Sequence, residues 1–355
     1  MEILVSALCG SVFGFALDRA KTNVPWVVAS QMDFSNQTML RMFLAGSASS
    51  TLAVLILHRL GVRDRKPKPG HALGLGLLGS YGANIVGGLL LGMGMTLTGS
   101  CPGTIWAQIG AGWLPRVAPV LAGGLFGVTM YGYADKAASE NPNYRKETQA
   151  CGLEHASIGY EITALAMAIG MIGVLFAVDS VFPWQNEVLA AVAPGTSIYD
   201  SWDPMLAGFA LGGLQFITMT TLGSQLGQSS GWGFIAGNIM SFVEPNLQKH
   251  SPYLYSLKNS SSARNQSMMA LGMIGGAALS THLAGYPVLS IAADAGFAGP
   301  VRGFLGGAIM LIGARIGGGC TSGHGLSGMS TVSLASTLSV AFMFAGAIAT
   351  KAVVG

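Results

Sequence analysis

The sequence predicts an all-α polytopic membrane protein built of two pseudo-symmetric repeats, whose short re-entrant helices meet at a central waist. Three observations predict it. Only 9% of the 355 residues are charged and 51% are hydrophobic, against roughly 25% charged in a soluble domain, so the chain cannot cover a water-facing surface. Apolar runs near the ~20 residues that span a bilayer recur at Met39–Leu60, Gly74–Leu97, Val117–Tyr133, Ile158–Val181, Ser267–Ala284, Val301–Ile316 and Val332–Val353. One phrase occurs twice, as GGLLLGMGMTLTGSC (Gly87–Cys101) and GGAIMLIGARIGGGC (Gly306–Cys320), with five of fifteen positions identical and no gap.

The elements follow in two halves, residues 1–134 and 203–355, joined by a linker, 135–202. The halves open alike: Cys9–Leu17 matches Ala207–Gln215, with Gly10 over Gly208 and Gly14 over Gly212. Both openings read as too short to span comfortably. The N-terminal run lacks the basic flank and small-residue cleavage site of a secretory leader, so it is expected within the mature fold. Each half then gives a long helix, a second helix ending at its cysteine, a short segment and a final span. The linker offers a polar stretch (Asp135–Ser157), the Ile158–Val181 span and an interfacial loop with Trp184. A single linker span favours inverted over parallel repeats. Paired, glycine- or proline-interrupted short segments mark the central site of such repeat proteins. Glycine, 52 residues, suits both close helix approach and chain reversal in a cavity.

Charge adds a topology. Arg59, Arg63, Arg65, Lys66 and Lys68 crowd one loop, which the positive-inside rule puts in the cytoplasm. A net charge of +3 is too small to suggest nucleic-acid binding. Four cysteines without CxxC spacing argue against a zinc site or a disulfide framework. No catalytic constellation, metal site or cofactor motif is legible.

The candidate site lies at the repeated cysteines. Pro102 and Gly103 follow Cys101, and Thr321 and Ser322 follow Cys320; proline suits the first turn of a helix and Thr or Ser its cap. Each thiol therefore stands beside a predicted helix N-terminus, where free N–H groups favour an anion. A thiol is a weak, soft donor, suited to a polarisable sulfur atom. Arg315 is ionisable within a span and so a functional candidate, with snorkelling to an interface as the alternative. His324 either contacts cargo or caps a neighbouring carbonyl. Asn84 and Gln108 read as packing hydrogen bonds. Cys9 and Cys151 read as bystanders, the first unmatched in the second half and the second in the polar linker.

The phrase GGGCTSGHGLSG (Gly317–Gly328) closely resembles the hallmark of the YeeE/YedE sulfur-transport family. TGSCPGTIWAQIGAG (Thr98–Gly112) is similar to that family's other motif, and GSVFGFALDRAK (Gly10–Lys21) to its N-terminal segment. The resemblance implies an hourglass-shaped helical membrane protein that takes up thiosulfate or a related sulfur anion, passing it between cysteines at the waist by S–H···S contacts. Those cysteines carry over to Cys101 and Cys320. The family's third cysteine has no counterpart: the matching stretch holds Asn23 or a neighbour instead. Family members often carry Tyr-Arg and a Glu in the first motif, where Ala107, Gln108 and Ala111 stand here.

The expectation is a multi-pass plasma or bacterial inner-membrane protein importing thiosulfate or a similar anion, with the lipid bilayer as surroundings. A cytoplasmic sulfur-accepting protein is an open further partner. The rival readings are a membrane persulfide carrier using the same thiols and a channel for a small neutral solute.

Overall fold

The computed structural model of the chain describes residues 1–73, 79–139, 152–153, 159–191, 201–284 and 299–354. Every regular element among them is helical. The first half contains α1 (Glu2–Arg19), α2 (Pro25–Ser30), α3 (Thr38–Arg59), α4 (Gly82–Thr98), α5 (Thr104–Gly110) and α6 (Leu114–Ser139). The linker supplies α7 (Tyr160–Val181) and α8 (Trp184–Ala191). The second half opens with α9 (Pro204–Thr221), α10 (Ser229–Val243), α11 (Leu247–His250) and α12 (Pro252–Lys258). It continues through α13 (Ser261–Leu283), α14 (Pro300–Ile316), a π-helical segment at Ser322–Gly328 and α15 (Leu334–Val354). Cys151 and residues 74–78 lie outside the described residues.

Helices α3, α6, α7 and α15 are long and apolar enough to cross a membrane. The helices that precede the two cysteines, α4 and α14, have 17 residues each, about 25 Å at 1.5 Å per residue, so they stop short of crossing a ~30 Å hydrocarbon core. The two openings, α1 and α9, are continuous 18-residue helices, about 27 Å long at 1.5 Å per residue, still short of the ~30 Å core. Glu2 sits in the first turn of α1, where negative charge is favoured. In α9 the Asp203 side chain accepts the Met205 N–H and Pro204 takes the first position, both good starts.

The two halves interlock. α1 packs on α13 while its counterpart α9 packs on α3; α4 packs on α15 while α14 packs on α6; α4 and α14 pack on each other. Exchanging the labels of the two halves leaves that set unchanged, as a two-fold relation requires.

Close approach explains the repeated glycines. A Cβ on Gly94 would lie 2.4 Å from Met310 Cβ, and one on Gly313 would lie 2.4 Å from the Leu91 backbone nitrogen. These glycines let α4 and α14 cross backbone to backbone, as small residues do in membranes. Gly88 and Gly307 do the same on the outer sides, facing the carbonyls of Ser339 on α15 and Val120 on α6.

The linker is bolted to the outside. α7 lies along α3 with most of its surface exposed, as expected of a lipid-facing helix. Arg41 of α3, fully buried, bonds Glu187 and the Phe182 carbonyl and approaches Asp179 at 3.3 Å. Removing one partner of a buried ion pair strands the other, so this contact fixes the α7–α8 corner.

Candidate functional site

α4 and α14 pack antiparallel, the end of each against the start of the other, and each is turned by a glycine with positive φ. Gly99 has φ +62° and Gly318 has φ +79°, a region that only glycine enters readily. Two residues later stands the cysteine. Each chain then enters a segment of seven residues, α5 after Cys101 and the π-helical turn after Cys320. π-helical turns are rare and concentrate at functional sites. Segments so short contribute individual N–H groups more than the summed dipole the sequence suggested.

Both sulfurs are held by such groups. Cys101 N–H donates to Thr104 Oγ1 at 2.7 Å, and Thr104 N–H donates back to Cys101 Sγ at 3.3 Å, a reciprocal pair of the capping-box kind. Cys320 Sγ lies 3.3 Å from Ser322 Oγ and feels the backbone N–H dipoles of Gly323 and Gln228. Both cysteines are buried, and the two thiols interact electrostatically.

Each loop has a polar brace. Gln108 donates from Nε2 to the carbonyls of Gly99 and Asn23, while its Oε1 accepts Ser100 Oγ–H. On the other side His324 Nε2 lies 3.1 Å from the Gly317 carbonyl and Nδ1 lies 3.1 Å from Ser336 Oγ. A carbonyl only accepts, so Nε2 carries the proton and Nδ1 accepts from Ser336. His324 thus positions the Cys320 loop, the capping role of the two its sequence allowed. Asn84 donates to the Gly317 carbonyl and to Ser339 and accepts His71 N–H.

A small cavity of about 40 Å³ lies between the loops, lined by Cys101, Gly103, Thr104, Thr321 and Ser322 and by apolar Phe13, Met42, Phe43 and Leu326. Cys320 stands behind Ser322. Thr321 also reaches the sulfurs of Met95 and Met343, at 3.3 and 3.4 Å. Pro102 serves the frame, its carbonyl accepting Trp232 Nε1–H at 3.0 Å, and Trp232 lies against Trp106 with centroids 4.7 Å apart.

Beyond Cys320 the surroundings turn basic. Lys68 leaves the basic loop and brings Nζ to 3.0 and 3.4 Å from where a Cβ on Gly319 or Gly323 would stand. It interacts electrostatically with both Cys320 and Arg315. Arg315 is buried and its Nη1 donates to Tyr253 Oη at 3.1 Å, so it does not snorkel. Lys68, Thr104 and Gln228 were not singled out by the sequence. Thr104 had a signal, a threonine three residues past the cysteine. Asn23 donates from Nδ2 to Asp18, while its buried Oδ1 lacks a hydrogen-bond partner among the described residues; like Gln228 it is absent from the cavity lining.

The chain is a helical, multi-pass integral membrane protein in which two thiol-bearing loops, far apart in sequence, approach one cavity. The chain belongs to the Sulphur transport family, whose profile matches residues 19–349, and this bears out the YeeE/YedE resemblance of its motifs. A curated relative, the thiosulfate transporter TsuA of Spirochaeta thermophila, is 24% identical over 97% of this chain and 96% of its own length.

Proposed function

We propose that this chain carries thiosulfate or a similar small sulfur-containing anion through the membrane, handing it from Cys101 to Cys320. The observation that carries the reading is the polarised path. An apolar, sulfur-rich vestibule leads to Cys101, and a lysine and an arginine lie behind Cys320. The vestibule disfavours strongly hydrated ions, the thiols donate to soft sulfur, and Lys68 draws the anion onward. His324 and Gln108 hold the loops without touching cargo. Arg315 keeps Lys68 company as the exit field. The remaining described thiol, Cys9, is packed in the apolar core, which favours passage without thiol chemistry over a persulfide carrier. The relative named for thiosulfate transport supports the cargo.

The test is radiolabelled uptake into cells lacking their own route, with sulfate as comparison. Accumulation of thiosulfate but not sulfate is expected; equal uptake of both sinks the soft-anion reading. In the same assay Lys68→Met should lower the uptake rate by about tenfold or more, since an opposite charge a few ångströms away is worth about 2–4 kcal/mol at intermediate dielectric. Unchanged uptake would remove Lys68 from the path.

The repeats are inferred to be inverted, with the basic loop in the cytoplasm. A cysteine placed at Asp64, whose side chain is 91% exposed, should resist an impermeant maleimide in intact right-side-out cells and react after lysis, in a Cys151→Ser background. Labelling before lysis would reverse the orientation.

A further inference from the structure

We infer that Gln228 is a substrate-contacting residue, its amide binding the oxygen end of the anion while the thiols hold the sulfur end. The inference rests on the transport reading above and adds a contact that reading lacks.

Gln228 caps α10 in the second half. Its backbone N–H acts electrostatically on Cys320 Sγ. Its side chain turns toward the other loop: Cγ lies 3.7 Å from where a Cβ on Gly103 would stand, a point itself 3.8 Å from Cys101 Sγ. One residue therefore bridges the two cysteine loops, which come from different halves. It is 2% exposed, and among the described residues neither Nε2 nor Oε1 has a hydrogen-bond partner.

Buried amides are almost always satisfied, and leaving one unpaired costs stability. The neighbouring Gln108 shows the usual state, with both amide atoms bonded. An orphaned amide whose stem lies beside the Cys101 loop and whose backbone faces Cys320 is a waiting partner. Its NH2 donates two hydrogens to anionic oxygen without adding a charge that would trap the ion. Its Oε1 can accept a thiol S–H. Thiosulfate offers a hard oxygen face and a soft sulfur tip, and this trio of side chains matches both. Hydrosulfide lacks the oxygen face and sulfate lacks the sulfur tip.

The test uses the purified full chain in liposomes, with thiosulfate uptake and thermal melting measured for wild type, Gln228→Met, Gln228→Glu and Cys320→Ala. Methionine keeps the length and apolar bulk of the side chain and removes both polar atoms. The expected result is a KM for thiosulfate raised about tenfold or more, the scale of one hydrogen bond to a charged group, with a melting temperature equal to or above wild type. Gln228→Glu, which presents a negative charge to an anion, should lose uptake further. An unchanged KM in Gln228→Met, or a lowered melting temperature, overturns the inference, because the amide is then idle or structural. If the wild type takes up no thiosulfate, or Cys320→Ala transports at the full rate, the transport reading fails and Gln228 falls with it. If both arms behave and Gln228→Met matches wild type, only Gln228 is lost.

Discussion

Cys101→Ala and Cys320→Ala should each abolish most thiosulfate uptake while leaving folded protein in the membrane. Alanine removes the soft donor yet keeps a small apolar residue in a buried position, so packing changes little. A hydrogen bond to a charged group is worth about 1.5–3 kcal/mol, about ten- to a hundred-fold in a rate or affinity. Serine is the sharper probe. It keeps a donor at nearly the same place but exchanges a soft atom for a hard one, and its shorter bond draws that atom back toward its own Cβ. If matching to sulfur matters, serine is impaired almost as much as alanine. Retained activity in both serine variants would mean that any donor suffices, and full uptake by the double alanine variant would end the thiol pathway altogether. Cys151→Ala is expected to be silent.

The largest structural effect is expected at the helix crossing. Gly94→Leu or Gly313→Leu should prevent accumulation of folded protein, because a Cβ at either position already falls within 2.8 Å of backbone atoms on the facing helix. Backbone cannot step aside as a flexible side chain can, so α4 and α14 must separate, and with them the two thiol loops. Even Gly94→Ala should lower uptake more than expression. The control is a glycine with room. A Cβ added at Gly213 or Gly275 would meet nothing within 4 Å, so alanine there should be neutral or stabilise by about 0.5–1 kcal/mol through helix propensity. Detergent melting and membrane yield distinguish the cases; equal behaviour of Gly94→Leu and Gly213→Leu would mean the crossing is not tight.

All five identities of the repeated phrase have a physical cause. Gly87 and Gly94 meet α14 as Gly306 and Gly313 meet α4. Gly88 and Gly307 admit the outer helices, Gly99 and Gly318 turn the chain, and each cysteine opens a loop that lines the cavity. A sequence keeps residues in register where backbone meets backbone, and so the crossing and its thiols were legible. The rest was not, for reasons of distance. Lys68 reads as one of several loop charges because nothing local tells which of them folds back toward Cys320. Gln228 reads as one more polar residue in a turn, since its meaning depends on an unpaired amide 125 residues from Gly103 in the chain. The role of His324 was open because either use needs only one histidine; two bonded nitrogens decide it.

The interlocking of the halves has a consequence for biosynthesis. α1 leaves the ribosome about 240 residues before α13, the helix it packs on, a delay of roughly 12–50 s at ordinary elongation rates. Through that interval Gly10 and Gly14 present bare backbone to lipid or to the insertion machinery with no helix to receive them. The first half is therefore a client awaiting its other half, and the steps that shelter it, more than the speed of any single helix, govern how much carrier reaches the membrane.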